Sequence, residues 1–167
     1  FDAITDAKLT VAKVESAFMD VPASAWYYEV IAEASAAAGD DPGDYANAPY
    51  MSGYAGTKLF GPNDRITRGQ VACVLFNMAG GKAGGVTDDK FDVNEGYETG
   101  FSDVDGHAYY AQAIAWAKTT GVVNGYAGTD KFGPNDFVTR EQFAAMLANY
   151  AKASGKDITV EDAAAVL

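Results

Sequence analysis

Gly53-Tyr54-Ala55-Gly56-Thr57-Lys58-Leu59-Phe60-Gly61-Pro62-Asn63-Asp64-Arg65-Ile66-Thr67-Arg68 returns, 72 residues later, as Gly125-Tyr126-Ala127-Gly128-Thr129-Asp130-Lys131-Phe132-Gly133-Pro134-Asn135-Asp136-Phe137-Val138-Thr139-Arg140, with 12 of the 16 positions identical and no gap. Unrelated loops do not converge to that extent, so the chain carries an internal repeat. The repeat is the frame on which the rest of the sequence is placed.

Each copy runs into a helix signal. In Thr67-Arg68-Gly69-Gln70 and Thr139-Arg140-Glu141-Gln142 the Thr hydroxyl can accept from the amide three residues on, while the Gln side chain reaches back to the Thr amide, a capping box. Apolar residues then follow at i, i+3, i+4, i+7: Val71, Val74, Leu75 and Met78 after the first copy, Phe143, Met146, Leu147 and Tyr150 after the second. That spacing predicts one-sided helices from Thr67 to Gly80-Gly81 and from Thr139 to Gly155.

A second motif precedes each loop. Phe18-Met19-Asp20-Val21 is repeated, 83 residues on, by Phe101-Ser102-Asp103-Val104. The helix predicted over residues 24–38, with Tyr27, Val30, Ile31 and Ala34 on one face, is mirrored by Tyr110, Ala113, Ile114 and Ala117. The first copy holds 11 more residues between its Asp and its Gly-Tyr pair, which places a loop insertion near residues 40–50. The division that results is a lead-in (1–17), a first repeat (18–80), an acidic Gly-rich connector (81–100), a second repeat (101–155), and the start of a terminal helix or partial third unit (156–167).

Composition narrows the function classes. With 12 basic against 23 acidic residues, a formal charge of −11, the chain lacks the Lys/Arg face that a nucleic-acid binder needs. One cysteine, Cys73, excludes a disulfide framework and a cysteine zinc site, and reads as a small buried thiol on a helix. One histidine, His107, is assigned to packing or capping, so the usual nucleophile and base pair cannot be assembled. The clusters Asp40-Asp41-Asp44, Asp88-Asp89-Asp92 and Asp103-Asp105 do not follow EF-hand spacing, and no catalytic carboxylate pair, metal or cofactor is expected. No run approaches the roughly 20 apolar residues of a membrane span, and Phe1-Asp2-Ala3-Ile4-Thr5-Asp6 reads as the edge of a processed or excised piece.

Most of the repeated loop has a structural explanation. Gly53, Gly56, Gly125 and Gly128 permit backbone turns closed to other residues, Phe60 and Phe132 plug the space between helices, and Pro62 and Pro134 stiffen the approach to the helix. Arg68 and Arg140 stand apart, because a cation at the first helical position opposes the helix dipole by about 0.3–1 kcal/mol. Two accounts stay open: an internal partner, Asp20 or Asp103, or an external carboxylate or phosphate held by the guanidinium and the helix N-terminus together.

The order Phe-x-Asp-Val, Gly-Tyr, Phe-Gly-Pro-Asn, Ile/Val-Thr-Arg, met twice, resembles the S-layer homology repeat across residues 18–79 and 101–154. The resemblance implies an all-α fold: tandem helix-loop-helix units packed as a pseudo-symmetric bundle with short irregular or extended loops. It further implies a noncatalytic module at the bacterial cell surface, outside the cell, holding a secondary cell-wall polymer, an anionic and often pyruvylated polysaccharide, in grooves between units. Its Thr-Arg-Ala-Glu motif falls on Thr67-Arg68-Gly69-Gln70 and Thr139-Arg140-Glu141-Gln142, where Gln replaces Glu and Gly69 replaces Ala. The glycan-facing positions implied are Arg68, Arg140, Asp20, Asp103, Trp26, Tyr109, Gly53, Tyr54, Gly125 and Tyr126. The alternative is a structural subunit whose copies complete the repeat bundle between chains and build a surface lattice or filament. Neither reading involves nucleic acid or direct membrane insertion.

Overall fold

The computed structural model describes residues 16–36, 49–81, 91–92 and 95–155. They form four helices, α1 (Tyr28–Ser35), α2 (Arg68–Met78), α3 (Ala111–Thr120) and α4 (Arg140–Ala153), and one short hairpin, β1 (Phe91–Asp92) antiparallel to β2 (Gly96–Tyr97). Nearly all of the lead-in, nearly all of the loop insertion, most of the connector with Val93, and the terminal helix or partial third unit lie outside the described residues.

α2 and α4 begin where the capping boxes place them. Thr67 Oγ1 accepts from the Gln70 amide at 3.3 Å while Gln70 Oε1 accepts from the Thr67 amide at 2.8 Å. Thr139 and Gln142 make the same exchange at 3.4 and 3.2 Å. Gln in place of Glu therefore keeps both bonds of the box. α1 starts at Tyr28, later than predicted from residue 24, because the chain leaving Pro22 first makes two tight turns, Ala25 N–H to Pro22 O and Tyr28 N–H to Ala25 O.

The main core forms between the repeats. Val71, Ala72, Leu75 and Phe76 of α2 meet Ala113, Ile114 and Trp116 of α3, with Val122, Val123, Phe132 and Met146 closing the cluster. Alanines on α3 let α2 approach closely, and the Phe76 and Trp116 rings pack at 5.6 Å between centroids. Burial of a side chain such as Leu75 stabilises by about 1.5–3 kcal/mol. A smaller cluster of Val21, Tyr28 and Ile31 with Phe18, Tyr27 and Phe60 sits inside the first repeat.

Three of the predicted apolar stripes are only partly buried. Val30 is 61% exposed although Ala113, its mate in α3, is 2% exposed; Phe143 and Leu147 on α4 are 40% and 39% exposed although Val71 and Leu75, their mates in α2, are 0% and 1%. α1 instead buries Tyr28, Ile31 and Ala32, and Met78 at the end of the α2 stripe is exposed. The cause is position in the chain: α2 and α3 lie against each other, whereas α1 and α4 pack on no helix to a comparable extent among the described residues.

Around the hairpin, Tyr97 packs on the main core, and Lys118 Nζ donates to the carbonyl oxygens of Thr99 and Gly100 at 3.0 and 3.2 Å. This part of the connector is thus fastened to α3.

Candidate functional site

The opening Asp of each repeat ties down its loop. Asp20 accepts from the amides of Phe60 and Gly61, one to each carboxylate oxygen, both at 2.8 Å; Asp103 accepts from Phe132 and Gly133 at the same distances. The Phe60 amide is the main reason that Asp20 titrates below the usual carboxylate range. Around Asp103 desolvation pushes upward, but the two amides, its own amide and the Lys131 charge together outweigh it, so its carboxyl is also lowered. Across each loop a tyrosine hydroxyl donates to an aspartate, Tyr54 to Asp64 Oδ2 at 2.6 Å and Tyr126 to Asp136 Oδ2 at 2.7 Å. Donation to a carboxylate pushes both phenols up.

The loop glycines divide into two kinds. Gly56 and Gly128 have φ of 72° and 74°, in the left-handed region that glycine alone enters freely. Gly53 and Gly125 do not; they are small because the chain passes too close. A methyl group on Gly53 would run into the Leu59 carbonyl oxygen and the Phe18 ring, and one on Gly125 would lie 2.5 Å from the Lys131 carbonyl oxygen. The expectation that all four serve turn conformation is therefore corrected for these two.

Arg68 lies inside the joint between the repeats, 5% exposed. Its Nε donates to Phe132 O and its Nη2 to Asn124 O, both at 2.8 Å, and its guanidinium lies 4.7 Å from the Tyr126 ring centroid and 4.9 Å from that of Phe132. The backbone amides of Arg68 and Gly69 donate to Asp136 O and Pro134 O at 2.9 Å. With Thr67 taking the Gln70 amide, the first three donors of α2 are satisfied, two of them by the other repeat. Carbonyl oxygens around the guanidinium offset its unfavourable place at the positive end of the helix. Of the two accounts open for this residue the internal one holds, with carbonyls rather than Asp20 or Asp103 as partners. Gly69 fits the same closeness, since a methyl group there would stand 3.0 Å from Pro134 O and from the Tyr110 ring. Arg140 is different: it is exposed, and its side chain makes no hydrogen bond or ion pair among the described residues.

Beside this joint runs a groove of about 520 Å³. Phe60, Ile66, Cys73 and Val74 supply apolar wall, Tyr50, Tyr54 and Tyr109 bring three phenol rings, and Asp64, Arg65, Gln70 and Asn77 bring polar groups. The Arg65 guanidinium is held 4.0 Å over the Phe137 ring, and Asn77 Nδ2 donates to Pro49 O and Tyr50 O at 3.3 and 3.4 Å. Burial pushes the Cys73 thiol up to about 12, so it serves as apolar wall.

Of the residues marked from the sequence, Gly53, Tyr54 and Tyr109 line the groove. Arg68 and Tyr126 belong to the joint, Gly125 lies at a close approach in its loop, and Asp20 and Asp103 hold their loops. Trp26 and Arg140 are exposed away from the groove lining. Arg65, Tyr50, Gln70 and Asn77 line it too and lie outside the glycan-facing set that the family resemblance implies; the signal for Arg65 is its place among the few positions where the loop copies differ, Arg65 against Phe137. His107 is also exposed, with its amide donating to Asp105 Oδ1 at 2.9 Å. No group of His, Cys, Asp or Glu among the described residues could hold a metal ion, and no described helix is long and apolar enough to cross a membrane.

A family model described as the S-layer homology domain matches residues 45–72 and 100–144. These segments carry both Gly-Tyr loops and both Thr-Arg helix starts. No curated protein matches the chain.

Proposed function

The chain belongs to the S-layer homology family, whose members are noncatalytic cell-wall binding domains, and on that premise we propose that it anchors a bacterial surface protein to an anionic secondary cell-wall polysaccharide carrying pyruvyl ketals. The observation that carries this reading is the groove beside the joint between the repeats, where three tyrosine rings stand with a guanidinium, a carboxylate and two amide side chains. Phenol rings offer flat apolar area with a polar edge, which suits the face of a sugar ring, and side-chain amides and carboxylates take its hydroxyls.

In this reading Tyr54 and Tyr109 contact the sugar and Arg65 meets the ketal carboxylate, as guanidinium and carboxylate pair well. Arg140, Trp26 and the N-terminus of α4 offer a second exposed anion and ring contact. Arg68, Asp20, Asp103, Gly53, Gly125 and Tyr126 act through positioning, by holding the loops in place. The acidic net charge works against an anionic polymer at long range, so retention rests on local donors.

Cosedimentation with purified wall polysaccharide tests the proposal. Tyr109→Ala and Arg65→Ala should each weaken retention with the helical circular dichroism unchanged, and removing pyruvyl groups should weaken the unmodified protein while leaving Arg65→Ala less affected. Retention untouched by both substitutions would sink this reading.

A second reading, a structural subunit assembling through its own copies, is favoured by the exposed apolar faces of α1 and α4.

A further inference from the structure

Among the described residues the joint between the repeats occurs once, and the counterparts of both of its halves, on α4 and in the first repeat, meet no such partner there. The inserting half is the start of α2: Arg68, with Val71 and Leu75 behind it. The same repeat positions on α4 are Arg140, Phe143 and Leu147, all exposed. The receiving half is the second loop with α3: the carbonyls of Asn124 and Phe132 beside Ala113. The same positions in the first repeat are Ser52, Phe60 and Val30, with Ser52 and Phe60 on the open groove and Val30 exposed.

The first-repeat receptor is also already shaped. Its loop is tied by Asp20 as the second is by Asp103, at equal distances, and braced by the Tyr54–Asp64 bond as the second is by Tyr126–Asp136. A preformed receptor lowers the ordering cost of docking.

We infer that α4 of one copy inserts into the first repeat of a second copy, with Arg140 donating to the carbonyls of Ser52 and Phe60 as Arg68 does to those of Asn124 and Phe132. This rests on the assembly reading above and deepens it by naming the joint. The contact is heterologous, so each copy offers one inserting and one receiving face. It is also looser than the internal joint: Glu141 stands where Gly69 passes Pro134 O and Tyr110 with no room to spare, so a receiving loop must shift by a few tenths of an ångström. The association is accordingly reversible and concentration-dependent.

Sedimentation velocity on the whole chain, without polysaccharide, tests it. The unmodified protein should grow in size with concentration. Leu147→Asp blocks the inserting face and Val30→Asp the receiving face; both positions are exposed, so both variants should keep the helical circular dichroism. Each variant alone should stay monomeric, and an equimolar mixture should form a dimer that grows no further. Arg140→Ala, which leaves the apolar faces intact, should weaken association about tenfold or more, as expected from lost charged hydrogen bonds. A chain monomeric at every concentration overturns both assembly and joint. An oligomer indifferent to these substitutions, or a mixture that fails to pair, overturns the joint alone and leaves assembly through another surface.

Discussion

Arg68 in the first repeat and Phe132 in the second are joined by a 2.8 Å hydrogen bond from Nε to the carbonyl oxygen, with the Phe132 ring 4.9 Å from the guanidinium. The same phenylalanine has its amide held by Asp103. One residue thus links the Asp hook of its own loop to the helix start of the other repeat, so the loop that shapes the surface also fastens the two halves together.

Removing Arg68 leaves two carbonyl oxygens without their donor inside a packed joint. Arg68→Ala should cost about 3 kcal/mol of unfolding free energy, the range for buried hydrogen bonds to a charged group. Arg140→Ala, at the same repeat position but exposed, should change stability by about 0.5 kcal/mol or less. Urea denaturation of both at low protein concentration makes the comparison; equal losses would remove Arg68 from the joint.

The two Asp hooks predict an acid limb. Asp20 and Asp103 have folded-state values below their unfolded ones, so the unfolded chain takes up their protons first as pH falls. Their contribution is therefore fully present above the unfolded value, about 3.9 for Asp, and is lost as pH drops through the folded values. In Asp20→Asn and Asp103→Asn proteins the melting temperature should depend less on pH in that window, at the expense of lower stability at neutral pH. Thermal melts followed by circular dichroism from neutral to strongly acidic buffer would show it.

The loop glycines should separate by mechanism. Gly125→Ala drives a methyl group toward the Lys131 carbonyl oxygen and the Phe101 ring, at 2.5 and 2.6 Å, and should cost about 1–3 kcal/mol or more, as overpacking does. At Gly128 nothing lies within 4 Å of the added carbon, so Gly128→Ala should cost only the left-handed backbone penalty of about 1–2 kcal/mol. A larger loss at Gly128 than at Gly125 would contradict the close-approach account. Calorimetry on the two proteins settles the order.

Cys73, held as a thiol by burial, should react slowly with a disulfide exchange reagent at mildly alkaline pH and rapidly once denaturant opens the fold, because the thiolate is the reactive form. Fast labelling of the native protein would show that the groove wall opens.

How much was legible in the sequence depends on the reach of each interaction. Thr67 and Gln70, or Thr139 and Gln142, lie three residues apart, so the helix starts followed from local chemistry alone. The left-handed turns at Gly56 and Gly128 are likewise local. The groove was half legible: Tyr54 and Tyr109 stood out as repeated aromatic positions, whereas Arg65 lines it because Phe137, its own mate in the other loop, lies beneath the guanidinium.

By itself, then, the sequence determined that the chain is built twice, where α2 and α4 begin, and the family to which the repeated motifs point. The tertiary structure alone decided that Arg68 is buried while Arg140 is exposed, and that Val71 and Leu75 are core while Phe143 and Leu147 face outward. Nearly the same local sequence met two different surroundings. Burial depends on what packs against a side chain, and among the described residues it is α2, not α4, whose start lies within the other repeat's loop.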